Sequence, residues 1–546
     1  MGRMRHKSLG IDGRPLKIGV ILDATELALW QAEALLRIAN DAEFIIYSCT
    51  TAAPVRRERR HALYYLLNLF TVRNRLSRRV GLPRALNIVS TRTFAAPCEG
   101  AWQSLPSELL DTIASDRPNV LVKFGMGLLK IPPPDQLAVP ILSYHHGDPS
   151  KFRGRPAGFH ELLRGEATVG QVVQILSSAL DSGTIVASAE TAAIRHSYRE
   201  TLIEAYRQSP LLLGPAIHNA LQNRGRHPPE FGPAYRLPDN LTVLRFVAQR
   251  LQAAVARSIY GLTREKRWSI ATAEMPIERS LGSIVETLAG AKLEAFARPP
   301  NYRFLADPFF RPDGSLLAEA MRTTSARGEI INLTNGIFSR ISGRGGHFSY
   351  PSVLAENGST FVVPEVSDWS PTLAFPLIDG RLAEPFELQI PGRPRLLDPT
   401  PFLHGGTVYL FGNIAAEGSS VLRLWMASAL SDTFAEHPAS PIRISPNGAR
   451  MAGAPLVLDG ELIRVGQDLR RNYGDGIAFF RIIELDRKAY TEECAGGFRF
   501  SDRRGPHTLN LNSGTQIAFD FYEDAFSLLA GVHRVKERRA ARQISD

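Results

Sequence analysis

Residues 139–154 read VPILSYHHGDPSKFRG, an apolar run followed directly by a dense cluster of polar side chains. The run Val139–Ser143 predicts a buried strand, and the polar cluster begins at its carboxyl end. Ligands of open α/β sheets bind beyond the carboxyl ends of the strands. This position therefore predicts an active site, although a single loop histidine is more often a satisfied surface or capping residue.

The residues around this stretch alternate between short apolar runs and amphipathic helices, from Leu16 to about Leu221. That alternation is typical of a parallel sheet with crossover helices. Further strands are predicted at Lys17–Leu22, Glu43–Tyr47 and Val120–Phe124, and a helix at Leu27–Ile38. Two more runs, Val169–Leu176 and Thr184–Ala187, are predicted to pair through a turn at Asp181. The first half of the chain is therefore predicted to be a Rossmann-like α/β domain.

A repeated hairpin occupies the second half of the chain. In each of five segments, two apolar strands flank a turn that ends in glycine, at Gly314, Gly358, Gly406, Gly460 and Gly514. Four of the five carry Asp-Gly, Asn-Gly or Gly-Gly, pairs that type I′ turns favour because both central residues need positive φ. Intervals of 44, 48, 54 and 54 residues leave room for two more strands in each repeat. The pattern predicts an all-β five-bladed propeller, closed by strands near Trp268–Thr272.

The length of 546 residues exceeds what one hydrophobic core usually serves. We predict an α/β domain at 14–222, a connector with a helix at 223–265, the propeller at 266–535 and a basic tail at 536–546. The connector is indicated by a stretch rich in proline, glycine and charge at 224–239. Three scattered cysteines are too few for a disulfide framework or a zinc site, so no metal is predicted.

The net charge of +10 comes partly from an arginine-rich segment at 55–80. Two interpretations are open: an amphipathic surface helix with a solvated basic face, or attraction to an anionic membrane or a phosphate-bearing substrate. No recognisable motif for nucleic acid accompanies the charge, so nucleic acid is not a predicted partner. Because neither a secretory signal nor a long apolar run is present, we expect a cytoplasmic location. The oligomeric state is not predicted.

Residues 117–187 resemble the folate-dependent formyltransferase family, which includes methionyl-tRNA formyltransferase, glycinamide ribonucleotide formyltransferase and the sugar N-formyltransferases. The family's Asn-x-His, Arg-Gly and Asp-x-Gly motifs are matched by Ser143-Tyr144-His145, Arg153-Gly154 and Asp181-Ser182-Gly183. The resemblance implies that 10-formyltetrahydrofolate is the formyl donor. It also implies folate-side contacts at Gly127, Leu128, Leu129, Ile131, Arg153 and Gly154.

The same resemblance implies three catalytic side chains. An amine that attacks a formyl carbonyl must lose a proton, while the carbonyl oxygen gains negative charge. His145 is expected beside that oxygen, and Asp181 is expected to orient the imidazole and relay the proton. Ser143 stands where the family has an asparagine whose amide helps hold the oxygen, and its hydroxyl has a shorter reach. His146 and Asp148 are the neighbouring polar groups that could compensate.

The second half resembles the five-bladed propellers of a glycoside hydrolase clan that acts on arabinose and fructose polymers. It also resembles the N-terminal domain of plant glucosamine inositol phosphorylceramide transferases. The matching motifs are Ala306-Asp307-Pro308-Phe309, Ser349-Tyr350-Pro351, Pro364-Glu365 and Asp398-Pro399-Thr400. Carbohydrate binding in the central channel is predicted for Asp307, Glu365, Asp398, Asn413 and Gln467. The alternative is that Asp-Pro caps the strand start and the other residues line a solvated channel.

Together these features predict an N-formyltransferase that acts on an amino sugar, either free, linked to a nucleotide or within a glycan, with the propeller binding the carbohydrate. The serine at position 143 leaves three outcomes open: an altered transferase, a hydrolase that passes the formyl group to water, or a folate-binding relic. Two alternatives concern the whole chain. One is a propeller-based glycosidase or glycosyl-transferring module with a degenerate front domain, and the other is a sugar-binding protein without turnover.

Overall fold

A computed structural model describes residues 15–51, 57–133, 135–276, 279–290, 294–323, 327–333, 339–340, 346–367, 371–512 and 514–535. The predicted basic tail at 536–546 lies outside the described residues. The described chain divides into two compact units, the first ending at Val255 and the second beginning at Ala256. Residues 223–255, predicted as part of a connector, therefore belong to the first unit.

A seven-stranded sheet forms the centre of the first unit. In spatial order its strands are Thr184–Ala192, Thr168–Ile175, Ile141–His145, Val120–Lys123, Leu16–Asp23, Ala42–Cys49 and Ile88–Phe94. The last five run parallel, and the first two are antiparallel to their neighbours. The central strands are apolar and buried almost throughout, as expected for a parallel sheet covered on both faces. The predicted α/β architecture is confirmed.

Helices and short strands complete the first unit. The α-helices are Leu29–Arg37, Ala62–Phe70, Ser107–Asp116, Phe159–Arg164, Tyr198–Gln208 and Leu213–Leu221, with 3₁₀ turns at Arg59–His61 and Ser209–Leu212. A further helix, Asn240–Thr263, begins in this unit and ends beyond Val255. The short strands are Glu26–Ala28, Arg79–Gly81, Cys98–Glu99, Trp102–Ser104, Leu128–Lys130, Arg153–Gly154 and Ala234–Tyr235. The helix predicted from Leu27 begins at Leu29, because the residues before it pair with another strand. The strand predicted at 139–143 continues to His145, because this histidine pairs with Val172.

Five antiparallel sheets make up the described part of the second unit. The terminal sheet contains Leu509–Leu511, Gln516–Phe526, Arg264–Glu274 and Glu294–Ala295. Sheet one contains Tyr302–Phe310, Leu316–Arg322, Gly328–Asn332 and Ser339–Arg340, and sheet two contains Phe348–Glu356, Ser359–Val366, Leu373–Ile378, Arg381–Leu382 and Phe386–Glu387. Sheet three contains Leu396–His404, Thr407–Ile414, Val421–Ala427, Ala435–Glu436 and Arg443–Ile444. Sheet four contains Asn447–Met451, Leu456–Leu458, Glu461–Asp468, Ile477–Leu485 and Tyr490–Phe498, and a helix spans Leu281–Gly290.

The hairpin turns of these sheets have the predicted chemistry. Asn357-Gly358, Gly405-Gly406 and Asp459-Gly460 each have positive φ at both residues and each join two paired strands. This is the backbone that type I′ turns require. The strand that holds Trp268 pairs along its whole length with the C-terminal strand Gln516–Phe526, so the terminal sheet joins both ends of the second unit.

Apolar clusters join each of these sheets to the next. The joined pairs include Ile270 with Leu316, Leu317 with Phe348, Leu354 with Leu396, Phe411 with Ala449, and Ile463 with Phe519. The series starts at the terminal sheet, passes through sheets one to four and returns to the terminal sheet. Such packing is what a ring of blades would need, and the five-bladed propeller stays a prediction that it supports.

Candidate functional site

Polar side chains lie side by side across neighbouring strands of the first sheet. Lys123 is in register with Ser143, and Ser143 is in register with Gln174 of the next strand. Residues in register on neighbouring strands share a face of the sheet, and His145 returns to that face two residues after Ser143. The pairing therefore collects a lysine, a serine, a glutamine and a histidine on one face.

His145 is held between a carboxylate and a backbone carbonyl. Its Nδ1 lies 3.4 Å from Oδ2 of Asp181, and its Nε2 lies 3.0 Å from the carbonyl oxygen of Phe152. Because both ring nitrogens face acceptors, the orientation of the ring is fixed. The His145 side chain is 7% exposed and that of Asp181 is 17% exposed, so the carboxylate is the more accessible partner. The histidine and carboxylate predicted to act together are in direct contact.

The turn that carries Asp181 is fixed by backbone and amide contacts. Asp181 has a φ of 47°, a left-handed conformation that aspartate tolerates better than most residues. Its Oδ2 accepts the N–H of Gly154 at 2.8 Å, and its Oδ1 accepts from Nε2 of Gln174 at 3.4 Å. The buried Gln174 in turn accepts the N–H of Gly183 at 3.1 Å. The Arg-Gly and Asp-x-Gly motifs, separate in sequence, thus meet through Asp181.

Two glycines allow the chain to pass close to this pair. A Cβ atom on Gly147 would lie 2.6 Å from Nε2 of His145 and 2.8 Å from the carbonyl oxygen of Phe152. Gly154 has a φ of +84°, and a Cβ atom there would lie 2.2 Å from the carbonyl oxygen of Tyr235. A larger residue at either position would therefore displace a group that holds the site.

Lys123 is a charged residue of the site that the sequence analysis did not identify. Its Nζ donates to the carbonyl oxygen of Gly127 at 2.9 Å. Burial lowers the pKa of the Lys123 ammonium to about 8, against the opposing charges of Asp23 and Asp181. A lysine at the end of an otherwise apolar strand was the available signal, because a charge there needs a polar surrounding.

The loop predicted to face folate is partly exposed to solvent and partly buried in the core. Gly127 is exposed and Leu128 is half-buried. Leu129 is 6% exposed and belongs to a core cluster, and Ile131 packs against the same cluster. The side chains of these two residues therefore face the core, whereas Gly127 is exposed. The folate contacts stay a prediction.

Arg153 holds a returning segment against the site. Its Nε donates to the carbonyl oxygen of Gly232 at 2.7 Å, and its Nη1 donates to that of Leu180 at 3.3 Å. Arg153–Gly154 also pairs in parallel with Ala234–Tyr235. The proline- and glycine-rich stretch predicted as a connector therefore covers one side of the site. A contact between Arg153 and folate stays a prediction.

The two polar neighbours expected to compensate for Ser143 are occupied elsewhere. His146 Nε2 lies 2.9 Å from Oγ of Ser209, and the ring packs edge-on against Trp30. Burial, together with His145, lowers the pKa of His146 to about 3, so this side chain is neutral. Asp148 Oδ1 accepts both the N–H and the hydroxyl of Ser150 and so fixes the loop. Lys123 is the additional donor on the Ser143 face.

The residues predicted to bind carbohydrate are all buried in the second unit, and four of them join one polar network. These are Asp307, Glu365, Asp398, Asn413 and Gln467. Nε2 of Gln467 donates to Asp398 at 2.8 Å, and the N–H of Asp398 donates to Glu365 at 3.2 Å. The exception is Asn413, whose Nδ2 donates to backbone carbonyls of Val421 and Ala449. Carbohydrate binding by these residues stays a prediction.

A left-handed residue recurs at the corresponding point of each sheet. Positive φ occurs at Asp307, Tyr350, Asp398, Gly453 and Gly505. The N–H of Asp307 donates to Asp520 at 3.1 Å, and the N–H of Tyr350 donates to Asp307 at 3.2 Å. In these two cases a carboxylate of one sheet accepts a hydrogen bond from the strained backbone of the next. These contacts favour a structural role for the Asp-Pro motifs, whether or not a ligand also binds.

Four charged residues of this network were missed in the sequence. They are Glu319, Arg450, His507 and Asp520, of which Glu319, His507 and Asp520 are buried. In the sequence, Met321 lies seven residues after Gly314, just as Glu365 lies seven residues after Gly358. The structure instead pairs Glu319 with Ala306 as it pairs Glu365 with Ser349. Counting from the turn glycine therefore misses Glu319 by two residues, because the turn between Phe310 and Leu316 is longer than the other hairpin turns.

Burial and neighbouring charges shift the pKa values of the groups in this network. Burial raises the pKa of Glu365 to about 7, against the opposing charge of Arg450. Burial raises the pKa of Glu319 well above its ordinary value, and Asp307 adds to that effect. Burial alone would lower the pKa of His507, but the charges of Asp520 and Asp307 outweigh it and raise that pKa. The carboxyl groups of Glu365 and Glu319 therefore bind a proton more tightly than exposed carboxyl groups do.

Asp307, His507 and Asp520 lie close enough together to hold a metal ion, with ligand atoms within 4.8 Å of one another. The existing contacts of Asp520 argue against that use. Its Oδ1 accepts the N–H groups of His507 and Thr508, and its Oδ2 accepts the N–H of Asp307 and lies 2.6 Å from Nδ1 of His507. Because the carboxylate already accepts three backbone N–H groups, we interpret the cluster as structural.

Comparison with known proteins gives a sequence match in the second unit. Residues 336–507 match the family model described as the N-terminal region of glucosamine inositolphosphorylceramide transferase 1. The protein of that name from Arabidopsis thaliana is 29% identical over 223 residues, covering 38% of this chain. The chain spans 29% of the length of that plant protein. The match confirms the resemblance that the motifs of the second half indicate.

Several solved structures resemble about two fifths of the chain. Glycinamide ribonucleotide transformylase 1 from Symbiobacterium toebii has a TM-score of 0.27 and 18% identity, covering 43% of this chain and 99% of that one. The N-formyltransferase from Helicobacter canadensis, solved with folinic acid and dTDP-3-aminofucose, has a TM-score of 0.25 and 10% identity, and the match covers 40% of this chain and 70% of that one. A formyltetrahydrofolate deformylase from Pseudomonas syringae has a TM-score of 0.26 and 13% identity, and the match covers 42% of this chain and 67% of that one. At these scores the likenesses add no weight to an assignment of activity.

Proposed function

We propose that the first unit transfers a formyl group from 10-formyltetrahydrofolate to the amine of an amino sugar or sugar conjugate. The observation that carries this proposal is the contact of His145 with Asp181 on the sheet face that also presents Ser143 and Lys123. Acyl transfer to an amine needs a proton acceptor and a donor for the carbonyl oxygen, and this face supplies both. The exposed backbone at Gly127 and the neighbouring Lys123 fit a folate-type donor beside them.

The proposed reaction assigns one task to each side chain. The formyl donor supplies the carbonyl carbon, to which the amine nitrogen bonds while the bond from that carbon to folate N10 breaks. Asp181 accepts the proton that the amine loses, because it is the more accessible partner of the pair. His145, oriented by Asp181, exchanges its contact with the Phe152 carbonyl for one with the substrate carbonyl oxygen. The leaving N10 receives the proton that Asp181 took from the amine, so atoms and charge balance and Asp181 returns to its starting state.

Lys123 supplies the positive charge that the serine at position 143 cannot. A serine hydroxyl donates one short hydrogen bond, whereas an ammonium group brings three donors and a full charge. The two residues are in register on neighbouring strands, so both serve the same oxygen in the proposed site. On this basis the site is an altered transferase, and the replacement of asparagine is compensated on the adjacent strand.

We further propose that the five sheets of the second unit are the blades of a propeller that binds the carbohydrate part of the acceptor. The apolar clusters that return to the terminal sheet support the closed ring. The buried Oε1 of Gln467 accepts no hydrogen bond within the described residues, and an unpaired amide oxygen is an acceptor for a sugar hydroxyl. The sequence match to a glycolipid transferase supports the same substrate class.

The test is incubation of the full chain with 10-formyltetrahydrofolate and a panel of amino sugars, free and nucleotide-linked, followed by mass spectrometry. The proposal expects a product that has gained one formyl group and release of one tetrahydrofolate per product. Release of tetrahydrofolate with free formate and no formylated sugar would show a hydrolase instead. If the donor neither binds nor turns over, the proposed transferase is wrong.

A second candidate function places catalysis in the second unit, as a glycosidase or glycosyl-transferring module. It is favoured by the close approach of Glu365 to Asp398, whose N–H donates to the Glu365 carboxyl group, and burial raises the pKa of Glu365 to about 7, a value that suits a general acid. Asp398→Asn and His145→Ala separate the two functions. Loss of glycoside cleavage in the first variant, with no effect of the second, would assign catalysis to the second unit.

A further inference from the structure

Two helices of the first unit expose large apolar side chains. On the helix Ala62–Phe70, Leu66, Leu69 and Phe70 are 52%, 47% and 67% exposed. On the helix that begins at Asn240, an exposed stripe runs at helical spacing through Leu241, Leu244, Val247, Leu251 and Val255. Single exposed leucines are ordinary, but a continuous stripe marks a surface that binds something.

The two helices are attached to each other. The N–H of Leu63 donates to Oδ1 of Asn240 at 3.0 Å, and Nδ1 of His61 lies 2.8 Å from the carbonyl oxygen of Pro238. Tyr64 of the first helix and Phe246 of the second belong to one core cluster. Both helices therefore bury one side in the same core and leave apolar residues of their outer sides exposed.

The charge around these residues is mostly positive, although Asp239 precedes the second helix. Residues 57–85 contain eight arginines and a single acidic residue, Glu58, and that carboxylate pairs with Arg60 at 2.7 Å. The helix at 240–263 contains three arginines and no acidic residue. Arg73, Arg75 and Arg78, which follow the first helix, are exposed. The partner of this surface must accept apolar side chains and bring negative charge.

We propose that this surface docks the protein onto an anionic lipid surface. Leucine and phenylalanine side chains enter the boundary between headgroups and acyl chains, while the arginines contact lipid phosphates. A second copy of the chain would instead bring arginine-rich rims together without acidic partners. Nucleic acid would use the arginines but not the apolar residues. Within the described residues no helix is long and apolar enough to cross a bilayer.

The experiment is co-sedimentation of the full chain with vesicles of phosphatidylcholine alone or of phosphatidylcholine with phosphatidylglycerol. The proposal expects binding to the anionic vesicles only, weakened by salt because the arginines act through charge. Leu66→Ser/Leu69→Ser/Phe70→Ser and Arg73→Gln/Arg75→Gln/Arg78→Gln should each lower the vesicle partition coefficient by about tenfold or more. The matched controls Leu403→Ser and Arg381→Gln, exposed in the second unit, should not.

Three results would overturn the proposal. One is equal binding, or no binding, to the two kinds of vesicle. Another is a dimer, seen by light scattering, that the apolar triple variant dissociates, which would assign the surface to a second copy. The third is tight binding to nucleic acid that the arginine triple variant abolishes and the apolar triple variant leaves intact. Circular dichroism and thermal unfolding confirm that the variants, all at exposed positions, keep their fold.

Discussion

The protein contains two histidine–carboxylate pairs that differ in how completely their partners are satisfied. In the first unit, His145 contacts Asp181 at 3.4 Å and the carboxylate is 17% exposed. In the second unit, Nδ1 of His507 lies 2.6 Å from Asp520, which is fully buried. Asp520 also accepts three backbone N–H groups, from His507, Thr508 and Asp307, whereas Asp181 accepts one, from Gly154, within the described residues.

The difference separates a chemical pair from a structural one. A carboxylate whose lone pairs are all used cannot accept a further proton without breaking contacts, so the Asp520 pair stabilises the fold. A carboxylate with remaining accessible surface can accept one from a substrate. The same two residue types therefore have opposite expected phenotypes, and substitutions in each pair test that contrast.

The largest effect is expected from Asp181→Asn. The amide cannot accept a proton from the amine, so kcat/KM for formyl transfer should fall by about 10³-fold while the free energy of unfolding changes little. Steady-state kinetics and urea unfolding of the same preparation measure both quantities. Asp111→Asn, on the exposed side of the helix Ser107–Asp116, is the matched control and should keep wild-type kinetics. If Asp181→Asn keeps its activity, the His145–Asp181 pair has no chemical role in the reaction.

The opposite phenotype is expected from Asp520→Ala. The substitution leaves three backbone N–H groups and His507 without their acceptor in a buried position, so unfolding should become easier by about 3–5 kcal/mol. Urea denaturation followed by tryptophan fluorescence measures the change. Asp502→Ala, at an exposed position, should change stability by less than about 0.5 kcal/mol. A small effect at Asp520 would mean that the network is not structural.

A smaller effect on the reaction is expected from Lys123. Lys123→Met should lower kcat/KM by about 10²-fold, because one charged donor to the carbonyl oxygen is lost. The wild-type rate should fall as pH rises through about 8, where this ammonium loses its proton. Lys123→Arg should recover part of the rate and move that fall to higher pH, since a guanidinium stays charged. A pH–rate profile that is identical in wild type and Lys123→Arg would contradict the role.

More of the first-unit site than of the second-unit network could be predicted from the sequence, and the reason is physical. The α/β pattern predicted that a site lies at the end of the strand Ile141–His145, and the resemblance to the formyltransferase family implied that His145 and Asp181 act together. The structure places these two side chains in contact. Lys123 was missed because it lies beside Ser143 only through the register of the two strands, and apolar periodicity does not predict strand register. In the second unit the repeated hairpins were predictable from turn chemistry. Glu319 was not, because one longer turn shifts the register by two residues.

The smallest effect is expected from Gly147→Ala, which tests whether the His145 ring must stay where the structure places it. The added Cβ would lie 2.6 Å from Nε2 of His145, so the ring or the Phe152 carbonyl has to move. A displacement of about 1 Å at a reacting group can cost up to roughly 10²-fold in rate, and we expect a loss of 10–100-fold in kcat/KM. Gly81→Ala, where a Cβ meets nothing within 4 Å, is the control. If Gly147→Ala keeps full activity, a ring held only loosely between Asp181 and Phe152 suffices, and the first pair then differs from the second in rigidity as well as in accessibility.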